Sequence, residues 1–210
     1  MTDGAKPKRR SRAPLVAGLI GCALLAALAL AAFLKGSSTD IDERNPETVA
    51  EGMVCQILER DAHHHPVRCA LVVDAPSEEV SALVRDYERF PETFDSELGS
   101  ITLAHITEEP ERVVHLEGVV ETPLFTWPID VRVRHEDLPD GVRTARWEQS
   151  EGAELVNRGR WVVRPVAEGT LLVYELEVRT PWVPNFLVND FLLTQLAYPL
   201  TKVAEHVGAR

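Results

Sequence analysis

The stretch VVDAPSEEVSALVRDYERFPETF, Val72 to Phe94, decides how the rest of the chain is read. An apolar run with strand character closes in Asp74-Ala75-Pro76. Proline suits the first position of a helix, where its missing N–H costs nothing, so a helix is expected from Pro76. Glu78 and Glu79 then fall in the first turn, where the helix dipole favours negative charge. Val80, Leu83 and Val84 are spaced i, i+3, i+4 and make one apolar face. Tyr87, Phe90 and Phe94 carry an apolar face through a second short helix, whose length Pro91 limits. Two short helices therefore stand between one strand and a long remainder whose apolar period is two.

That remainder reads as strands. Ile101-Thr102-Leu103 begins one, and Arg112 to Val120 is the next. Ile129, Val131 and Val133 alternate with Asp130, Arg132 and Arg134, the pattern of a half-buried strand. EDLPDGV carries an Asp-Gly turn into Val142 to Gln149. SEGAELVNRG separates this run from Trp161-Val162-Val163. VAEGT makes the next turn, and Leu171 to Val178 is the last strand. Connections this short imply antiparallel neighbours. Upstream, Met53 to Glu59 and Val67 to Val73 read as two strands around RDAHHHP. A hairpin centred on Ala62 sets Cys55 opposite Cys69, as either a disulfide or two buried thiols. His63-His64-His65 reads as a polar turn, because strand alternation lets at most His63 and His65 share a metal. No metal site is expected.

The chain ends in a long apolar-rich helix, about Pro184 to Val207, with Pro199 inside it and expected to kink it. Leu187, Phe191, Thr194 and Tyr198 share one stripe, and Val188, Leu192, Gln195 and Leu196 lie beside it. The expected fold is α+β: a curved antiparallel sheet of six or seven strands wrapped around this helix. Such a sheet and helix leave space between them unless the side chains are large, so a cavity is expected.

Charge is unevenly placed. The first twelve residues carry five Lys and Arg against Asp3, while from Gly36 onward 32 Asp and Glu face 16 Lys and Arg. An acidic domain repels phosphate backbones, which excludes nucleic acid as a partner. Residues 1–12 form a basic tail. Ala13 to Leu34 is a run of 22 residues without a charge, long enough as a helix to cross a ~30 Å hydrocarbon core. It is read as a single-pass transmembrane anchor with the N-terminus cytoplasmic and the acidic domain extracytoplasmic. A cleaved signal peptide has a shorter apolar region and a small-residue cleavage site. Leu19-Ile20-Gly21-Cys22 resembles a lipobox, which makes a lipoprotein at Cys22 the alternative. Residues 35–47 read as a polar linker, and 48–210 as the folded domain.

The order strand, two short helices, strands, long helix resembles the START-related helix-grip superfamily, also called SRPBCC. VDAPSEEVSALVRDYERFPE is similar to the family's opening: apolar strand, Ala-Pro, paired acids, Val, then Asp-Tyr and an aromatic-Pro. GRWVVRPVAEGTLLVYELEV resembles its late hairpin, with Gly159, Trp161, Pro165 and Gly169-Thr170. TPWVPNFLVNDFL resembles its approach to the last helix. The resemblance covers about Arg68 to Val207 and is nearest the coenzyme Q-binding START-type and polyketide cyclase or dehydrase-like branches. The chain departs from it at Ser81, where the family often has an aromatic, and in the anchor and the Met53–Glu59 strand.

The resemblance implies a pocket between sheet and C-terminal helix for a lipid, quinone, polyketide or similar hydrophobic molecule. It implies neither a cofactor nor catalysis. Trp127, Trp147, Trp161 and Tyr174 on strands, with Phe191, Gln195 and Tyr198 on the helix, are the residues expected to line it. Aromatic rings with one polar tip suit an amphipathic ligand. No catalytic residue is assigned: His115, Glu117, Asp130, Arg134 and His135 are the strand groups capable of acid–base work if inward. Alternation puts Asp130 and Arg134 opposite the valine face, which His135 shares. The rivals are a cyclase or dehydrase-type enzyme, which needs polar groups converging inside the cup, and a protein-interaction module with a filled core.

Overall fold

The computed structural model describes residues 41, 49, 52–58, 66–95, 99–121, 126–150, 155–181 and 184–208. The basic tail, the Ala13–Leu34 run with Cys22, and His63-His64-His65 lie outside the described residues. So do most of 35–47 and the side chains of Leu187 and Thr194. Among the described residues no helix is long and apolar enough to cross a membrane.

Eight strands form one antiparallel sheet: β1 Val54–Ile57, β2 Val67–Val73, β3 Ser100–Glu109, β4 Val113–Glu121, β5 Thr126–Asp137, β6 Arg143–Gln149, β7 Val156–Val166 and β8 Gly169–Arg179. Their order is β1-β2-β8-β7-β6-β5-β4-β3. The expected count of six or seven is therefore corrected to eight. The short first strand joins the same sheet, because its pairing with β2 sets Cys55 opposite Cys69 and a disulfide joins them. A second correction concerns VNRG, read as the end of a connection. Val156 to Gly159 are already strand, and Arg158 pairs in register with Glu177 of β8 and bonds its carboxylate at 2.7 Å.

The topology answers why two helices follow β2. That strand lies beside β8, while β3 is the opposite edge, so the chain must cross the mouth of the sheet. Helix α1, Ser77–Leu83, packs against β7 and β8; a 3-10 turn, Tyr87–Arg89, and α2, Phe90–Thr93, reach β3. Pro76 is the cap before α1, one place earlier than expected, with Glu78 and Glu79 in the first turn. Val80 and Val84 are fully buried, each contributing about 1.5–3 kcal/mol of apolar transfer. Ser81 is buried beside them, so the position that departs from the family pattern is a core one. Thr170 of β8 donates its hydroxyl to the Ala75 carbonyl at 2.6 Å, fixing where β2 turns into α1.

The C-terminal segment is two helices where one kinked helix was expected. Helix α3 is Asn185–Gln195 and α4 is Ala197–Gly208, with Leu196 between them. Pro199 has no N–H for the Gln195 carbonyl, and its ring clashes with that turn. The chain breaks three residues earlier, which places Pro199 in the first turn of α4, where proline is tolerated. Leu200, Val203 and Val207 then form the buried stripe of α4, and Val188, Leu192 and Leu196 that of α3 and its end.

The sheet buries both faces unequally. Its inner face and the helices hold the main core, including Cys69, Trp161, Leu172, Leu192 and Leu200. A smaller cluster of Ala70, Val162, Leu171 and Val173 occupies the outer face. Ile41, read from sequence as linker, is 2% exposed and packs in that outer cluster with Val49. Its N–H donates to Gln56 Oε1 and its carbonyl accepts from Arg68.

Candidate functional site: an uncharged cup under the short helices

A cavity of about 210 Å³ lies between the inner sheet face, the short helices and the α3–α4 break. Strand alternation builds it. On β5, Trp127, Ile129, Val131 and Val133 face it; on β7, Asn157 and Trp161; on β8, Tyr174, Leu176 and Val178. Tyr87, Phe90 and Phe94 close the side beneath the short helices, and Phe191, Gln195 and Tyr198 the side of the C-terminal helices. All seven residues expected to line a pocket thus stand on one wall or another of this cavity.

The rings form a connected row. Phe90 meets Phe94 edge-on at 4.9 Å between centroids, and Phe94 lies 6.5 Å from Trp161. Trp161 stacks on Tyr174 at 4.0 Å and 13°. Tyr174 in turn lies 5.6 Å from Trp147. Trp161 and Tyr174 are direct cross-strand partners, so the sheet register itself sets this stack.

Among the described lining residues there is no Asp, Glu, Lys, Arg, His or Cys. The polar atoms that do reach the cavity have distinct fates. Tyr198 hands its hydroxyl to the Asp95 carbonyl, so its polar tip pins α4 to the end of the short helices. Tyr87 bonds His135 Nε2 at 3.1 Å. Trp147 Nε1 donates to Asn157 Oδ1 at 3.1 Å. The Tyr174 hydroxyl has its pKa raised by desolvation, so it stays protonated and uncharged.

Asn157 escaped the sequence reading, which had placed it in a connection. The usable signal was strand alternation: Asn157, Gly159 and Trp161 share one face at steps of two. Gly159 is what lets Trp147 reach Asn157. A Cβ there would stand 2.4 Å from the Trp147 ring and 2.2 Å from the Glu175 carbonyl oxygen. The indole therefore lies across the glycine.

Four of the five acid–base candidates lie on the outer face, away from the cavity, and His135 alone faces inward. His115 and Asp130 meet on the outer face at 2.8 Å, and Asp130 also accepts from Ser150. The Ser150 and His115 hydrogen bonds hold the Asp130 carboxyl below its ordinary value. Glu117 stands 3.7 Å from the other nitrogen of His115, and Arg134 is exposed on the same outer face. His135 faces inward but outside the cavity lining, between Tyr87 and the Arg85 and Asp137 side chains. Burial, then the Arg85 charge, pushes its pKa down to about 4. The outer face is otherwise an Arg–Glu ladder. Glu175 is buried there, which raises its pKa, but Arg68 at 2.7 Å and Arg160 at 3.0 Å outweigh the burial and hold it lowered. Among the described residues no three His, Cys, Asp or Glu side chains gather as a metal site.

No family model and no curated protein matches the chain. Solved structures do match. A STAR-related lipid transfer protein from Xanthomonas axonopodis superposes with a TM-score of 0.61 at 16% identity, over 76% of this chain and 95% of that one. Human StAR-related lipid transfer protein 5 gives 0.60 at 13% identity, over 90% and 98%. A Thermus thermophilus protein gives 0.55 at 22% identity, over 69% and 97%.

Proposed function

Because the chain has the START-like helix-grip fold, we propose that its cavity holds an uncharged hydrophobic small molecule and that the domain acts as a binding or carrier module. The carrying observation is the lining: five aromatic rings in a connected row, a mostly apolar remainder with Ser100, Asn157 and Gln195 as uncharged polar groups, and, among the described residues, no ionisable side chain except tyrosine. Burying a charge without a partner is costly, so a phosphate or carboxylate head has no place inside. Burying apolar ligand surface is favourable by about 25 cal/mol per Å². A lipid, quinone or polyketide-like molecule meets these terms. An enzyme of the cyclase or dehydrase type would need an acid or base at the reacting atoms, and the described lining offers only tyrosines, of which Tyr87 and Tyr174 are held protonated by burial.

The volume of about 210 Å³ is below the ~300–1,000 Å³ usual for small-molecule sites. Entry of a larger ligand then requires the short helices to part from the α3–α4 break, where Tyr198 holds the two together.

The anchor belongs to this proposal. Ala13 to Leu34 would hold the domain against the bilayer and raise the local concentration of membrane-derived ligands. The Cys55–Cys69 disulfide fits an oxidising, extracytoplasmic compartment. Alkaline extraction of membranes tests the anchor: the full chain and Cys22→Ala should both stay in the pellet. Loss of Cys22→Ala alone would mean a lipoprotein.

The test of function is mass spectrometry on solvent extracts of the purified full-length chain. One neutral hydrophobic species near one-to-one stoichiometry is expected. Ile129→Trp should abolish it by filling the cavity wall, at a stability cost of about 1–3 kcal/mol. An anionic lipid bound at the same stoichiometry, and displaced by the same variant, would overturn the uncharged-ligand reading.

A further inference from the structure

The proposed pocket has one polar group, Asn157, whose orientation is fixed by the protein. Trp147 Nε1 is a donor only, so the atom of Asn157 facing it at 3.1 Å is the carbonyl Oδ1. The amide orientation follows, and the NH2 group of Asn157 points elsewhere. Asn157 is 8% exposed and lines the cavity. Its Nδ2 has no partner among the described residues, yet it is not sealed off, unlike the buried unpaired Oε1 of Gln149 on β6. Gln149 is outside the cavity lining, whereas Asn157 is part of it, with Ser100 and Gln195 as further uncharged polar side chains on its walls. A nine-tenths buried amide with two unused donors is costly to leave unpaired.

Position adds direction. Asn157 stands four residues along β7 from Trp161, which is about 13 Å of strand. Trp161 is the ring that Phe94 of the short-helix side touches. The donor therefore lies well away from that contact along the aromatic row.

Resting on the pocket reading above, we propose that Asn157 Nδ2 is a docking point for a neutral acceptor oxygen on the ligand, of the ketone, quinone or ester carbonyl class. Gly159 and Trp147 are positioning residues: the glycine makes room for the indole, and the indole N–H fixes which end of the amide faces the cavity. The ligand enters with its carbonyl leading to Asn157 and its apolar body along the Trp147–Tyr174–Trp161 rings.

The experiment uses methyl nonyl ketone and its alkene isostere, in which a methylene replaces the carbonyl oxygen. Both are titrated by calorimetry into the full-length chain in nonionic detergent, each corrected for its own partition into that detergent. The infrared carbonyl stretch of isotope-labelled ketone is read in parallel. The wild-type chain should bind the ketone at least about fivefold tighter than the alkene, with a lowered carbonyl frequency. Asn157→Leu should keep alkene affinity and lose both the preference and the shift. Trp147→Phe frees the amide to turn and should reduce the preference, and it serves alone if circular dichroism shows Asn157→Leu unfolded. Equal binding with an unshifted carbonyl overturns this inference and leaves the pocket reading standing. A preference that survives in the folded variants also overturns it. No binding of either probe, with the chain folded, overturns the pocket reading with it.

Discussion

At the scale of single residues, two glycines show how backbone position decides side-chain geometry. Gly169, in the β7–β8 turn, has a φ of +130°, and a Cβ on it would come within 2.2 Å of the Val73 carbonyl oxygen. Gly169→Ala should therefore cost at least about 2 kcal/mol by urea denaturation, while a change at exposed Gly208 should cost almost nothing. Gly159 acts differently, by leaving room for an indole. Four strand aromatics, Trp127, Trp147, Trp161 and Tyr174, stand in the cavity wall because alternation points them one way, and Phe191, Gln195 and Tyr198 because they belong to the apolar stripes of the last helices. These were legible from sequence. Asn157 was not, because Val156-Asn157-Arg158-Gly159 has the composition of a turn. Its alternation with Gly159 and Trp161 was the one sequence signal, and its pairing with Val178 and the Arg158–Glu177 bond show it as strand.

At the scale of elements, the short helices are fastened to β5 at the junction between them. Tyr87 bonds His135 of β5, and Arg85 bonds Asp137 at 2.8 Å on the same strand. The Arg85 hydrogen bond keeps the Asp137 carboxyl below its ordinary value. His135 sits between them with its pKa lowered from 6.5 to about 4. The fold favours the neutral ring, so its contribution is full above pH 6.5 and falls away as pH drops toward 4. Thermal unfolding should show the midpoint falling across that window, and His135→Gln should flatten the fall while leaving neutral-pH stability nearly unchanged. An unaltered pH profile in that variant would assign the loss to other groups. The helices themselves were legible, since i, i+3, i+4 spacing gives way to period two after Phe94. The break at Leu196 was not. Apolar residues run through it without interruption, and a proline inside a helix has the same sequence as a proline in the first turn of the next one.

At the scale of the whole molecule, the eighth strand is held by a covalent link. Cys55 and Cys69 close a 14-residue separation, and a loop of that size is worth about 3 kcal/mol through the unfolded state. Reduction with dithiothreitol, or the pair Cys55→Ser with Cys69→Ser, should lower unfolding free energy by about that amount. A chain equally stable when reduced would show that β1 contributes by packing alone. The Met53–Glu59 run was legible as a strand, but its place as a four-residue edge of the same sheet was not, because it lies outside the family pattern that set the expected count. Ile41, held on the back of the sheet through Gln56 and Arg68, has a mechanical consequence. Tension drawn through the chain at that point would load Gln56 of β1 and Arg68 of β2, on the face opposite the cup. In the proposed anchored protein, a pull on the tether would thus be borne on the side of the sheet away from the proposed ligand.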